Sequence, residues 1–456
     1  MPDLSQLPSI DRLLNHPALQ DVISDFGRPL SLEGIRSVLE DIRQEVLQKG
    51  SPIPGETEII VQVKSRLNTW LTPTLMPVIN ASGVILHTNL GRAPLSQATI
   101  RAMMAAVSGY SNLEFNLSTG KRGKRSVHAG KILTMLTGTE SGFVVNNNAG
   151  AVLLTLSALA NKKPVLVSRT QLVEIGGGFR IPDVMRQSGA KLIEIGTTNR
   201  LHLYDFENAL AENEVALVLV AHHSNFKLIG FQSEPTLEEI VSVAHQHGVP
   251  VVHDLGSGAL LDTAQYGLAH EPTVQESVAA GCDLICFSGD KLVGGPQAGI
   301  IIGREALIKR IQVHPLARAL RADKLTLSGL TATLTHYLKD EAETHIPIWQ
   351  MIARPLDSIK SSAENWRQYL GRGTLVEGRS TVGGGSLPTE EMPTWLLSLE
   401  MTAPNKILQA LRQAQPPIIA RIENDRVLLD PRTLLPEQEA VFLRNLLAIL
   451  EKTNAK

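Results

Sequence analysis

Three short stretches place side chains capable of covalent, acid–base and anion-binding chemistry directly after runs of β-forming residues. Gly142-Phe143-Val144-Val145 leads into Asn146-Asn147-Asn148-Ala149-Gly150-Ala151. Val249–His253 leads into Asp254-Leu255-Gly256-Ser257-Gly258, and Asp283–Phe287 into Ser288-Gly289-Asp290-Lys291-Leu292-Val293-Gly294-Gly295-Pro296. Asn148 can cap the apolar helix that follows it, and the small residues Ala149 and Gly150 leave first-turn N–H groups open to an anion. Asp254, followed by glycines, points a carboxylate into the crevice at a strand end, and Lys291 brings an amine to another. Singly, these read as a capped helix and two loop charges. In this order they meet the needs of pyridoxal phosphate: a phosphate cup, a carboxylate on the pyridine nitrogen and a Schiff-base lysine. Asp254 keeps the ring nitrogen protonated; Lys291 holds the cofactor and is then freed to act as a base. Ser288, at the end of the lysine strand, is a further candidate contact to the cofactor.

Other polar groups are read against that site. After Val215–Val220 comes His222-His223-Ser224-Asn225, where Asn225 can hydrogen-bond the cofactor's phenolic oxygen. Gln171 and His223 are both candidates to stack on its ring. The adjacent histidines lack a suitably spaced carboxylate or cysteine for a metal site. No G-x-G-x-x-G fingerprint occurs, and Gly120 and Gly123 are misspaced for a phosphate loop, with Arg125 where Ser or Thr should follow Lys124. Two basic clusters, residues 110–131 and 304–324, each carry +4. Within the second, Arg318 and Arg321 stand three apart, as neighbours on one helical face able to fork an oxyanion. Either cluster can equally be a solvated surface; a phosphate-rich partner held there would bind in a salt-sensitive way.

The elements that must position these groups follow from the pattern around them. Near-continuous apolar runs at Gly142–Val145, Pro164–Val167, Lys191–Ile195, Val215–Val220, Val249–His253, Asp283–Phe287 and Ala298–Ile302 alternate with helix-length stretches. That is an open, mostly parallel sheet covered on both faces, with ligands at the carboxyl ends of its strands. Residues 1–65 read as a small helical module: Ser9 can cap one helix and Ser31 another with apolar residues at spacings of three and four. A linker over 66–79, a catalytic domain over 80–325 and a small α+β domain over 326–456 complete the organisation. The last contains the turn Gly383-Gly384-Gly385, a hairpin around Glu423-Asn424-Asp425-Arg426 and a final helix from Glu437.

Composition excludes several classes. Hydrophobic residues make up 43% and charged residues 19%, which is ordinary for a globular chain. A net charge of −2 gives no global cationic field for nucleic acid. Cys282 and Cys286 are the only cysteines, too few for a disulfide scaffold, and read as core residues on one strand face. No run is long enough to span a bilayer, and Met1-Pro2-Asp3-Leu4-Ser5 lacks the start of a signal peptide, so a cytosolic enzyme is expected.

Longer stretches carry a specific likeness. Leu7–Leu14, Ile79–Ser96 (INASGVILHTNLGRAPLS), Tyr110–Phe115, Asn146–Ala151, Arg180–Met185 and Ser288–Pro296 together resemble bacterial selenocysteine synthases over nearly the full chain. The resemblance implies pyridoxal-phosphate fold type I, the aminotransferase-like fold. It implies conversion of seryl-tRNA(Sec) to selenocysteinyl-tRNA(Sec), through an aminoacrylyl intermediate, with selenophosphate as donor. It makes Lys291 the Schiff-base lysine, Asp254 the pyridinium partner, and Arg92, Arg318 and Arg321 the holders of the donor's anion. It also implies a homo-oligomer, a ring of five dimers, with tRNA gripped by the N-terminal module. Residues 1–75 carry 7 basic against 10 acidic side chains, a balance at odds with such a grip. A pyridoxal-phosphate ammonia-lyase acting on a small phosphorylated amino sugar acid or amino acid would share Lys291, Asp254 and the arginines, but would not need the N-terminal module. A non-catalytic tRNA-binding relative would not need the lysine and aspartate.

Overall fold

The computed structural model describes residues 4–175 and 178–454, so Met1–Asp3 lie outside the described residues. The chain divides into two compact units, one up to Pro77 and one from Val78 onward.

The first unit holds four α-helices where the sequence suggested two: α1 (Ile10–Leu14), α2 (Pro17–Phe26), α3 (Arg28–Lys49) and α4 (Glu56–Leu71). Ser9 Oγ does cap α1, accepting from the Arg12 N–H at 3.2 Å. Ser31 caps nothing; it lies in the first turn of α3 and donates to the Gly27 carbonyl at 2.9 Å. Pro29 belongs to that first turn, where its missing N–H costs no helical bond, so the Gly27-Arg28-Pro29 breaker starts a helix as well as ending one. Ile35, Val38, Leu39, Ile42 and Val46 of α3 pack with Ile59, Ile60, Val63 and Leu67 of α4. The helix α4 runs to Leu71, so residues 66–71 are helical and the expected linker shortens to residues 72–77.

The second unit is built on a seven-stranded sheet. Its strands are β1 (Ser141–Val145), β2 (Pro164–Ser168), β3 (Lys191–Ile195), β4 (Leu217–Ala221), β5 (Val251–Gly256), β6 (Leu284–Ser288) and β7 (Gly299–Gly303). The spatial order is β1-β7-β6-β5-β4-β2-β3. Only β7 runs antiparallel, between β1 and β6. The strands β4 to β7 are buried along their whole length, which explains their unbroken apolar sequences. Helix α5 (Asn148–Ala160) follows β1, α6 (Pro315–Ala319) follows β7, and α7 (Lys324–Leu338) runs straight through the expected boundary at residue 325. Cys286 is a buried residue of β6, whereas Cys282 precedes that strand, so the two do not share a strand face.

A second sheet, in the order β8-β9-β11-β10, forms the C-terminal lobe from β8 (Thr374–Thr381), β9 (Glu391–Glu400), β10 (Arg421–Glu423) and β11 (Arg426–Leu429). The hairpin turns on Asn424 and Asp425, both at positive φ, a turn geometry that matches strand twist. Ile418 and Ile419 leave that hairpin and pair in parallel with Ile79 and Asn80. The last helix, α8, begins at Glu439 and packs Phe442, Leu446 and Leu450 on this lobe.

Candidate active site

Asp254 and Lys291 come together because their strands are neighbours. Asp254 lies in register with Cys286 across β5 and β6, and Lys291 follows three residues after β6 ends. Both side chains are buried, at 4% and 5% exposure. Burial pushes the Asp254 carboxyl above its ordinary value, and a hydrogen bond from Asn148 opposes that push. Burial, then the nearby Arg92 guanidinium, hold the Lys291 amine below the ordinary lysine value, while Asp254, Asp290 and Glu271 pull it back. A lysine in this state supplies neutral amine more readily than one in water.

The start of α5 differs from expectation in one respect. Asn147, not Asn148, is the N-cap; its Oδ1 accepts from the Gly150 N–H at 2.8 Å. That frees the Asn148 side chain, whose Nδ2 donates to Asp254 Oδ1 at 2.8 Å. The first-turn N–H groups of Asn148 and Ala149 remain to face an anion, while that of Gly150 is spent on the cap. Ser288 is buried at the end of β6.

Arg92, assigned to the donor's anion by resemblance, and the glycine turn Gly383-Gly384-Gly385 also reach the crevice. Arg92 has φ +63°, a left-handed conformation rare for a non-glycine residue, and its Nη1 donates to Asp290 Oδ2 at 2.8 Å. From the C-terminal lobe, Gly383, Gly384 and Gly385 all take positive φ. Gly384 passes so near the Leu86 carbonyl that a Cβ would lie 2.6 Å from its oxygen, and the Gly385 carbonyl accepts from Lys291 Nζ at 3.5 Å. Gly256, at φ +69°, takes a left-handed turn directly beside the amine; a Cβ there would lie 3.9 Å from Lys291 Nζ and 3.6 Å from Ser224 Oγ.

Three expectations change. Asn225 is exposed and its Nδ2 is engaged with the Glu174 carbonyl at 2.8 Å, so its amide is already spent within the chain. Gln171 is occupied at both ends, donating to Glu234 at 2.7 Å and accepting from the Ala221 N–H at 3.0 Å. It is thereby tied into the scaffold; His223, with its ring 4.8 Å from that of Phe226, remains at the cavity wall. Arg318 and Arg321 do not share a helical face, because α6 ends at Ala319 and Arg321 instead bridges to Val145. They line a cavity of about 540 Å3 with Arg122, Lys124, Arg125 and Glu114. Glu114 accepts from Arg125 at 2.7 Å and from Arg122 at 3.0 Å, which hold its carboxyl below the usual value. Arg92 lines a different cavity, so one chain does not gather the three arginines.

A cavity of about 590 Å3 opens beside this crevice, lined by His222, His223, Phe226, Glu271, Leu387 and Pro388 among others. Several buried polar atoms have no hydrogen-bond partner: Asn148 Oδ1, His222 Nε2, Ser257 Oγ, Glu271 Oε1 and Ser386 Oγ. Asn148 bonds Asp254, Ser257 follows β5 and its carbonyl accepts from the Leu292 N–H of the lysine loop at 3.1 Å, and Ser386 follows Gly385. Buried polar atoms left unpaired at this density mark a place shaped for a polar ligand. With a carboxylate, an amine and a helix start converging on it, the residues fit pyridoxal phosphate.

Comparison with known proteins places the chain. A family model described as "L-seryl-tRNA selenium transferase" matches residues 78–435, and one described as "Selenocysteine synthase N terminal" matches residues 4–43. The L-seryl-tRNA(Sec) selenium transferase of Moorella thermoacetica is 44% identical, over 98% of this chain and 97% of its own. That of Alkaliphilus metalliredigens is 45% identical, over 98% and 99%. Among solved structures, a D-glucosaminate-6-phosphate ammonia-lyase superposes with a TM-score of 0.59 at 19% identity, covering 85% of this chain and 99% of that one, a likeness of fold. The architecture is pyridoxal-phosphate fold type I, and the chain belongs to the L-seryl-tRNA selenium transferase family.

Proposed function

We propose that the crevice around Lys291 and Asp254 is where this selenium transferase converts seryl-tRNA(Sec) to selenocysteinyl-tRNA(Sec). The observation that carries this reading is the buried Lys291 amine facing the buried Asp254 carboxylate amid unpaired polar atoms. When bound, pyridoxal phosphate supplies the electron sink that makes the seryl Cα–H acidic. The residues do the rest. Lys291 anchors the cofactor, then takes the proton from Cα as a free amine. Asp254 keeps a proton on the ring nitrogen, and Asn148 fixes the carboxylate's orientation. The start of α5, at Asn148 and Ala149, receives the phosphate, with Ser288 close to the lysine loop. The Lys291 ammonium formed in taking the Cα proton would return it to the departing β-hydroxyl, which leaves as water.

Selenophosphate is the donor in this reading. Its tetrahedral anion calls for several forked donors, and Arg92, Arg318 and Arg321 supply that chemistry. Because Arg92 stands apart from the other two within one chain, a homo-oligomer in which a neighbouring copy completes the set suits the arrangement. The helical unit up to Pro77 contacts the tRNA, and the protein works in the cytoplasm. No described helix is long and apolar enough to cross a membrane.

The test is conversion of seryl-tRNA(Sec) by the purified holoprotein with selenophosphate, beside seryl-tRNA(Ser). Selenocysteinyl product from the first tRNA alone is expected, and Lys291→Ala should abolish it while leaving tRNA binding intact. A holoprotein that makes no product but releases ammonia from small phosphorylated amino acids would overturn the assignment.

A further inference from the structure

The orphaned pair His222 and Glu271 lies on the β4 side of the crevice, and neither residue has a role in the chemistry above. His222 is the first residue after β4, and its backbone N–H donates to the Asp254 carbonyl at 2.9 Å, which holds it level with Asp254. Its Nε2 is buried with no hydrogen-bond partner, and so is Glu271 Oε1. The two atoms are 3.2 Å apart without the alignment of a hydrogen bond. The Glu271 side chain is 4% exposed. Among the described residues no acceptor is aligned with Nε2, so a hydrogen carried there is left unspent. His222 lines the cavity beside the crevice and lies close enough to Asp254 to bias it electrostatically, so an Nε2–H there is a buried donor with no acceptor among the described residues. Such a donor is costly unless a ligand accepts from it.

The substitution pattern of pyridoxal phosphate identifies the acceptor. On the pyridine ring, the carbons bearing the phosphate arm and the phenolic oxygen flank the aldehyde carbon, so the two groups leave on opposite sides of the line joining the ring nitrogen to that carbon. The ring nitrogen belongs at Asp254 on β5, and the phosphate at the start of α5, which follows β1. The sheet order β1-β7-β6-β5-β4 puts β1 on one side of Asp254 and β4 on the other. The phenolic oxygen therefore leaves toward β4, where His222 is the residue next in line. We propose that His222, through Nε2–H, donates a hydrogen bond to the phenolic oxygen of the cofactor, the role for which Asn225 was the sequence's candidate. This rests on the cofactor placement under the proposed function. The physical consequence is specific: a donor that draws charge from the phenolic oxygen makes the adjacent, cofactor-bound nitrogen of Lys291 hold its proton less tightly. His222 thus acts as a positioning and tuning residue.

The experiment is a pH titration of the visible band of the holoprotein. His222→Phe removes the donor and should raise the band's pH midpoint by about one unit, a roughly tenfold change in proton affinity. His222→Gln, which keeps an N–H donor at similar reach, should stay near the unaltered protein. His222→Leu serves as the donor-free variant if the phenylalanine prevents folding. A normal band whose midpoint does not move in the donor-free variant overturns the assignment, as do equal shifts with and without a donor. Absence of any band in the unaltered protein, with no borohydride-fixed cofactor on Lys291, overturns the cofactor placement beneath it instead.

Discussion

Gly299→Ala puts the construction of the site under a sharp test. Gly299 begins β7, paired with Val145 of β1 on one side and Ser288 of β6 on the other. A Cβ there would lie 2.1 Å from the Asn147 carbonyl oxygen, 2.4 Å from its carbon and 2.9 Å from the Asn148 nitrogen. All three are backbone atoms, so no rotamer change relieves the overlap. To bring the nearest contact out to 3.0 Å, below which real Cβ contacts essentially do not occur, the chain at Asn147 must retreat by about 1 Å. That segment carries both the Asn147 cap on Gly150 and the Asn148 hydrogen bond to Asp254. Overpacking of this kind costs about 1–3 kcal/mol and a lost N-cap about 1 kcal/mol, so a destabilisation of roughly 2–4 kcal/mol is expected. Displacing the phosphate-binding turn by about 1 Å should also weaken cofactor affinity by roughly tenfold to a hundredfold.

Urea unfolding gives the first quantity and titration with pyridoxal phosphate the second. Gly267→Ala is the control: Gly267 has φ +76° but nothing within 4 Å of its Cβ position, so the variant carries backbone strain of about 1–2 kcal/mol and no change in affinity. Unchanged stability in Gly299→Ala would refute the steric argument. Lost stability with unchanged cofactor affinity would refute the placement of the phosphate at the start of α5.

Two further outcomes follow from buried groups. Asp430 accepts from Ser380 Oγ at 2.7 Å, Thr394 Oγ1 at 3.0 Å and the Arg432 N–H at 2.9 Å, yet burial still pushes its carboxyl above the usual value. Its contribution to stability is therefore complete below the unfolded-state value and lost as pH rises through the raised folded one. Asp430→Asn should remove that part of the pH dependence in urea melts, and at neutral pH should cost about 1–3 kcal/mol, since an amide N–H would face buried donors. Burial raises the Cys286 thiol and pushes that of Cys282 up to about 12, so neither should react with iodoacetamide at pH 8 in the native protein. Mass spectrometry showing alkylation of either cysteine before unfolding would contradict the buried environments described above.

How much of this was legible without coordinates depends on the range of the interaction concerned. The seven runs all became strands of one sheet, and the four that are buried along their whole length, β4 to β7, read as unbroken apolar sequence because a strand covered on both faces has no solvent side. Asp254 and Lys291 could be singled out for a similar reason: charged groups at the ends of such runs face the crevice where ligands bind. Breakers were equally plain, though not their sense, since Gly27-Arg28-Pro29 both ends α2 and opens α3.

Side-chain partnership was a different matter. Asn147 and Asn148 are the same residue type side by side, and only the position of Asp254 decides which one caps the helix and which turns to the carboxylate. Asn225 looks as well placed as His222 in the sequence; the Glu174 carbonyl, 51 residues away, claims its amide. The spacing of Arg318 and Arg321 promised a shared helical face, but α6 stops at Ala319 and Arg321 joins the edge of β1. Glu271 carried no local signal at all: it is one acidic residue in a loop until the fold brings its carboxylate within 3.2 Å of His222. Periodicity and strand-end chemistry are local, so the sequence alone determined the kind of sheet and its two principal reactive residues. Hydrogen-bond pairing depends on positions fixed across dozens to hundreds of residues, and only the tertiary structure decided which polar atoms were satisfied and which were left for a ligand.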